Sequence, residues 1–245
     1  MALGSYMTQE LLKRLKPGAR IAAMGYPDMV APLDVLEQYT DVRSLEYRKD
    51  SEAICKRHGL AFRGIPDAHS FFKALGCELD VYDIVQERGC EILCDLNCPI
   101  LWNELGEANH LYDFVLDVGT IEHVFNIGQA AFNMAGLLKM GGIILHENPF
   151  NWGNHGFYNL NPTWYADFYG QEGFKLIDCK LIMRDGRVGD PPLTKRFKFL
   201  EGEANSFAIA ERTRITAIEW PTQTKYRGLI PVAGARADIK EAVNG

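Results

Sequence analysis

Side chains capable of acid–base chemistry crowd one part of this 245-residue chain. His146-Glu147-Asn148 close an apolar run. The polar, aromatic and glycine-rich segment Asn151-Trp152-Gly153-Asn154-His155-Gly156-Phe157-Tyr158-Asn159 follows almost at once. A histidine has a reference pKa near ~6.5 and can take a proton at neutral pH. His155, between small Asn154 and Gly156, reads as a candidate base; the alternative is a loop histidine that bonds a backbone carbonyl. Glu147 is the second candidate base. Successive strand residues face opposite ways, so one of His146 and Glu147 reaches a cleft. Asn148, Asn151, Trp152 and Tyr158 are candidates to contact a substrate. Trp164 and Phe168, four apart, share a helix face and read as core. His58, His69 and His110 fall in helical or surface segments and read as solvated side chains.

Six cysteines invite a metal reading, because Cys90, Cys94 and Cys98 are spaced C-x3-C-x3-C. Zinc sites pair C-x2-4-C with a second ligand pair elsewhere. No second cysteine pair exists, and Cys94 sits in the apolar run Glu91-Ile-Leu-Cys-Asp95, where a cysteine acts as a small hydrophobe. No residue is assigned to a metal. The cysteines read as free thiols in a reducing, cytoplasmic setting. The run Thr194-Lys195-Arg196-Phe197-Lys198, with Arg184 and Arg187 before it, is the one basic patch. It is either a solvated face or an anion site for an acceptor.

Composition bounds what these groups can serve. The chain is 47% hydrophobic and 24% charged, which excludes a disordered or collagen-like protein. A net charge of −6, from 26 Lys+Arg against 32 Asp+Glu, argues against nucleic acid as the main partner. No apolar run approaches the ~20 residues of a membrane helix. The first twenty residues lack the apolar core of a secretory signal.

The positioning elements alternate. Arg20–Gly25, Glu78–Val85, Glu91–Asp95, Tyr112–Gly119 and Gly142–Phe150 read as strands. Thr8–Leu15, much of 30–75 and Phe125–Lys139 read as helices, the last ended by Met140-Gly141-Gly142. Thr163–Tyr169 is a further helix. Phe174–Arg184 and Ser206–Arg212 are late strands with no long helix between them. The pattern predicts an α/β fold: a doubly wound, mostly parallel sheet with an antiparallel C-terminal edge. A single domain spans 1–245, with a helical insertion about 30–75 and a lid about 185–205. Ligands bind beyond the carboxyl ends of such strands. That directs attention to Gly25–Asp28, Asp83, Asp95, Asp117–His123 and His146–Tyr158.

The stretch 112–151 resembles the second half of class I S-adenosylmethionine-dependent methyltransferases. Asp113, then Glu122-His123-Val124, then Leu137-Leu138-Lys139-Met140-Gly141-Gly142 stand where that family has an acidic strand, an "EH-V" helix start and "LLKPGG". The resemblance implies a Rossmann-like sheet and S-adenosyl-L-methionine as cofactor. It places a ribose-binding acid at Asp83 and an acid near adenine at Asp95, next to Leu96. It adds Gly25, Tyr26, Pro27, Asp28, Asp117, Gly119 and His123 to the cofactor set. The first motif departs from the family: Ala23-Met24-Gly25-Tyr26-Pro27-Asp28-Met29 keeps one glycine of Gly-x-Gly-x-Gly, so that either Asp28 supplies the missing carboxylate or cofactor binding is weakened. About fifty residues separate this turn from Asp83, against ~20 in a compact unit.

The implied activity is O- or N-methylation of a small-molecule or sugar acceptor by a cytoplasmic enzyme, with no nucleic-acid or membrane partner and a possible homo-oligomer. The alternative is a non-catalytic binding or scaffold protein, motivated by the eroded glycine motif. A nicotinamide-dependent oxidoreductase would need G-x-G-x-x-G, which this chain lacks.

Overall fold

Period-two alternation explains how one sheet feeds two cores. The computed structural model describes residues 2–99, 111–193, 195–198 and 202–227. In β1 (Arg20–Met24), Ile21 and Ala23 face one apolar layer while Ala22 and Met24 face the other. β4 (Tyr112–Val118) does the same, with Phe114, Leu116 and Val118 on the first side and Val115 on the second. The first layer is closed by α1 (Ser5–Leu12), α2 (Leu33–Glu37), α3 (Ser51–Arg57) and α4 (Ala68–Ala74). The second is closed by α5 (Ile127–Leu137) and α6 (Pro162–Phe168). Each buried Leu, Ile, Phe or Met stabilises the fold by roughly 1.5–3 kcal/mol. Helices on both faces are what a parallel sheet requires.

The remaining strands are β2 (Glu78–Asp83), β3 (Ile92–Leu93), β5 (Leu138–Pro149), β6 (Phe174–Met183), β7 (Val188–Gly189) and β8 (Ala204–Arg212). Their order is β3-β2-β1-β4-β5-β8-β6-β7. The first five pair in parallel, and β8, β6 and β7 are antiparallel. The fold is thus the Rossmann-like, doubly wound sheet with an antiparallel C-terminal edge. No helix among the described residues is long and apolar enough to cross a membrane.

Several expected boundaries shift. Residues 30–75 hold three short helices and a 3-10 turn at Val42–Ser44, joined by irregular chain. The Glu91–Asp95 strand shrinks to Ile92–Leu93, both exposed, because β3 is the sheet's edge. Gly141 and Gly142 do not end a helix. α5 stops at Leu137, and both glycines lie within β5. Gly141 has φ +79°, and here the pairing jumps from Tyr112↔Leu138 to Phe114↔Ile143. The glycines make a bulge rather than a cap.

Gly142 tolerates no side chain, since a Cβ there would lie 2.8 Å from the Tyr112 carbonyl oxygen and 2.9 Å from that of Lys139. Gly136, inside α5, has open space at the Cβ position. Gly142→Ala should therefore cost about 1–3 kcal/mol of stability through overpacking. Gly136→Ala should gain up to about 1 kcal/mol from helix propensity. Urea unfolding of both variants beside wild type checks the opposite signs.

Candidate active site

The loops after β1, β2, β3 and β4 meet beyond the carboxyl ends of their strands. Gly25 ends β1 with φ +79°, and its N–H donates to the Tyr82 carbonyl at 2.6 Å. Gly119 ends β4 with φ +78°. These left-handed positions favour glycine and let a ligand approach the backbone. Together with Asp83, Asp95, Leu96, Thr120, His123 and Val124 they line a cleft of about 280 Å³. Its lining combines apolar Leu96 and Val124 with the two aspartates. A larger cavity of about 690 Å³ adjoins it and takes in Glu122, Glu147, Trp152 and His155. Gly119 and His123 line both spaces.

A buried polar network fixes the turn between them. Asp117 is fully buried. Its Oδ1 accepts from the Thr120 and Ile121 amides at 3.2 and 3.1 Å. Its Oδ2 meets His146 Nδ1 at 2.7 Å and accepts from Asn148 Nδ2 at 3.0 Å. His146 Nε2 lies 2.6 Å from the Tyr169 hydroxyl, and the Tyr165 hydroxyl donates to Asn148 Oδ1 at 2.6 Å. Burial raises the pKa of both tyrosines, and Asp117 adds to it.

Glu122 hangs from this network. It is fully buried in the 3-10 turn Ile121–His123, and its Oε2 accepts from Asn148 at 3.1 Å. Its Oε1 has no hydrogen-bond partner among the described residues. His123 Nε2 and His155 Nε2 stand off from that oxygen at 3.8 and 3.7 Å. Burial, then the nearby Asp117 charge, pushes the Glu122 carboxyl up to about 8. Burial, then His155, lowers the His123 imidazole. Glu147 accepts from Asn205 at 3.0 Å through Oε1, leaves Oε2 unpartnered, and is raised by burial.

The sequence candidates separate accordingly. Gly25, Asp83, Asp95, Leu96, Gly119 and His123 converge on the smaller cleft. Glu147, Trp152 and His155 converge on the larger. Tyr26, Pro27 and Asp28 line neither of the two cavities, contrary to the expectation that this turn faces the ligand. Tyr26 is buried, with its hydroxyl donating to Asp67 at 2.5 Å and meeting His69 at 3.0 Å. Pro27 is buried. Asp28 points inward to His58 Nε2 at 3.0 Å and to Arg48 at 3.7 Å. Burial opposes its ionisation, but the His58 bond and the Arg57 charge hold its carboxyl below the usual range.

Asp117 and Asn148 are buried, are spent on the polar network and line neither cavity. Asn151 spends its side chain on the Gly202 carbonyl and the Ala204 amide. The Tyr158 hydroxyl donates to the Phe125 carbonyl at 2.8 Å. Neither Asn151 nor Tyr158 lines either of these two cavities. His58 and His69 are partnered, not simply solvated. His110 and Thr194 lie outside the described residues. In the basic patch, Arg184 pairs with Glu203 and Arg187 with Asp185, so both are already engaged. Cys94 is buried while Cys90 and Cys98 are exposed. Glu122 stands in the Glu122-His123-Val124 stretch that carries the family resemblance, yet neither that resemblance nor its residue type assigns it a role. Its link to His155 is not readable without the fold.

No protein-family model and no curated protein match the sequence. Solved structures do match. One is the Burkholderia thailandensis 1,6-didemethyltoxoflavin-N1-methyltransferase with bound 1,6-didemethyltoxoflavin and S-adenosylhomocysteine. It is 13% identical, covers 84% of this chain and 76% of its own, and has a TM-score of 0.47. Another is from the complex of the Haloferax volcanii Trm112 methyltransferase activator with a protein described as a methyltransferase. It is 11% identical, covers 84% and 89% respectively, and has a TM-score of 0.48. The sheet order fixes the fold class here, and the site's own side chains carry the functional argument.

The raised Glu122 carboxyl has a stability consequence. In the unfolded chain it ionises near pH 4.5, whereas in the native state it holds its proton to about 8. The native state binds that proton more tightly, so stability falls as pH rises through this window. Glu122→Gln lacks the titration. Relative to wild type it should gain on the order of 2–4 kcal/mol between pH 5 and 8, measured by urea unfolding in EDTA. A constant difference across the window would show that Glu122 is ionised in the native state.

Proposed function

We propose that the chain is an S-adenosyl-L-methionine-dependent methyltransferase acting on a small-molecule or sugar acceptor at oxygen or nitrogen. One observation carries the reading. Asp83 at the end of β2, left-handed Gly25 at the end of β1, and Asp95-Leu96 after β3 surround one cleft, and that cleft joins a larger cavity holding acid–base groups. The donor set fits the cofactor. A carboxylate ending the second strand can accept both ribose hydroxyls. Leu96 and Val124 offer an apolar bed for a base, and Gly25 lets the backbone approach. The aspartates also suit a cationic sulfonium, which supplies the activated methyl group when bound.

The chain's own residues then position the acceptor and receive its proton. Proximity is a major term in such a displacement, and Trp152 offers a rigid wall for it. Glu147 is the better base of the two candidates. Val118↔Glu147 are register partners, so this carboxyl stands beside the strand end that leads into Gly119. Its Oε2 is unpartnered, and its raised pKa brings it closer to what a base needs at neutral pH. His155 is instead grouped with Glu122 and His123.

Calorimetry tests the reading directly. S-adenosylmethionine and S-adenosylhomocysteine should bind with micromolar affinity, ~7–9 kcal/mol. Asp83→Ala should weaken binding by about 1.5–3 kcal/mol, the cost of a lost charged hydrogen-bond partner. Asp28→Asn should leave the affinity unchanged. Absence of heat at millimolar cofactor would sink the enzyme reading and leave the scaffold role.

The base assignment has its own check. Glu147→Gln should lower turnover at least about 10²-fold with cofactor affinity nearly unchanged. It should also remove the acid limb of the pH–rate profile, a limb displaced upward from the usual carboxylate range. A wild-type pH profile in the variant would return the role to another group.

A further inference from the structure

We infer that Glu122, His123 and His155 form a binding site for one divalent first-row transition-metal ion where the two cavities meet. One carboxylate oxygen and two imidazole nitrogens all lie within 4.8 Å of one another. Glu122 Oε1 is 3.8 Å from His123 Nε2 and 3.7 Å from His155 Nε2. Those separations are too long for hydrogen bonds. Two ligands each about 2.1 Å from an ion stand about 3.0–3.4 Å apart, so each Glu122–imidazole pair needs to close by only a few tenths of an ångström.

The second observation is the oxygen itself. Glu122 is fully buried, yet Oε1 has no hydrogen-bond partner among the described residues while Oε2 is held by Asn148. A buried carboxyl oxygen without a partner is costly whichever its protonation state, and here it is aimed at two imidazoles. A cation between the three groups would satisfy it.

The chain is also bent to bring His155 there. Asn154 has φ +54° and Gly156 φ +102°. The amides of Phe157 and Tyr158 donate to the Glu122 carbonyl at 2.8 and 3.3 Å. A Cβ on Gly156 would lie 2.9 Å from that carbonyl and 3.0 Å from His123 Nδ1, so only glycine permits the docking. His123 is thereby backed against Gly156 on its Nδ1 edge, leaving Nε2 toward Glu122. The Trp152 ring packs edge-on against His155, with centroids 5.1 Å apart. His123 and His155 remain part-exposed, which gives an ion a route in.

Two imidazoles and one carboxylate suit Mn²⁺, Fe²⁺, Co²⁺, Ni²⁺ or Zn²⁺ rather than Ca²⁺ or Mg²⁺, which prefer all-oxygen sets. Three protein ligands leave positions open toward the larger cavity. Those positions fit an oxygen ligand, and this last point rests on the methyl-transfer reading only in naming that ligand as an acceptor hydroxyl.

The test uses the full chain stripped with EDTA and titrated with Co²⁺ alone, without cofactor. Visible absorption and calorimetry should report one equivalent bound. His155→Ala and His123→Ala, both at part-exposed side chains, should each weaken binding at least about tenfold while leaving the folded baseline intact. A Cys90→Ser/Cys98→Ser variant should bind as wild type does. Acetohydroxamate, a bidentate oxygen ligand, should shift the cobalt spectrum. No binding by wild type at about 1 mM Co²⁺, or unchanged affinity in both histidine variants, overturns the site. An unperturbed spectrum with acetohydroxamate overturns the open positions. Because the titration contains no cofactor, failure of the metal site and failure of cofactor binding are read separately.

Discussion

The Asp117 carboxylate organises everything around it. It sits in the middle of the sheet with no access to water, and four donors converge on it: two amides of the following turn, His146 and an Asn148 amide. A buried carboxylate is tolerated only when its lone pairs are filled. Filling them forces the chain after Gly119 into the 3-10 turn that carries Glu122 and His123. It also sets His146 and Asn148 on the inner side of β5, which leaves Glu147 for the opposite side. The tyrosines of α6's end then close the network, so that β4, β5 and α6 are cross-linked by polar contacts inside an otherwise apolar layer.

That constraint explains the division of labour between neighbours in sequence. His146 and Asn148 are internal supports, while Glu147 between them lines the larger cavity. Ile121 is core, Glu122 is buried with one free oxygen, and His123 reaches both cavities. Ordinary strand and turn geometry, acting on a few residues, separates scaffold from chemistry at single-residue spacing.

Much of this was readable in the sequence where periodicity is strong. Tyr112–Val118 followed from an apolar run closed by Gly119, and its parallel pairing from the alternation of strands with helices. Asp83, Asp95 and Gly119 followed because they end strands in a doubly wound sheet. What failed depended on partners remote in the chain. Tyr26 and Asp28 sit in a turn that looks ligand-facing, but Asp67, His69, His58 and Arg48, which arrive from the inserted helices, draw them inward. Gly141-Gly142 looked like a helix end. The close approach of the Tyr112 carbonyl makes them a strand bulge instead. Asn151 looked like a binding group and is consumed by the Gly202–Ala204 backbone. Local sequence records which groups are polar; it does not record which have already been satisfied.

The docking of loop 154–158 has a consequence for how this region can change over time. The loop is anchored to the main-chain carbonyl of Glu122, not to its side chain. The anchor is therefore indifferent to which residue occupies position 122, whereas it depends strictly on the missing side chain at Gly156. Mechanical attachment and chemical identity are written into separate positions. A lineage could exchange the groups at 122, 123 and 155 and so sample new reactivity on an unchanged framework, while a single methyl group at 156 would push the loop off that carbonyl and carry His155 away from Glu122 and His123, which the Asp117 turn would still hold.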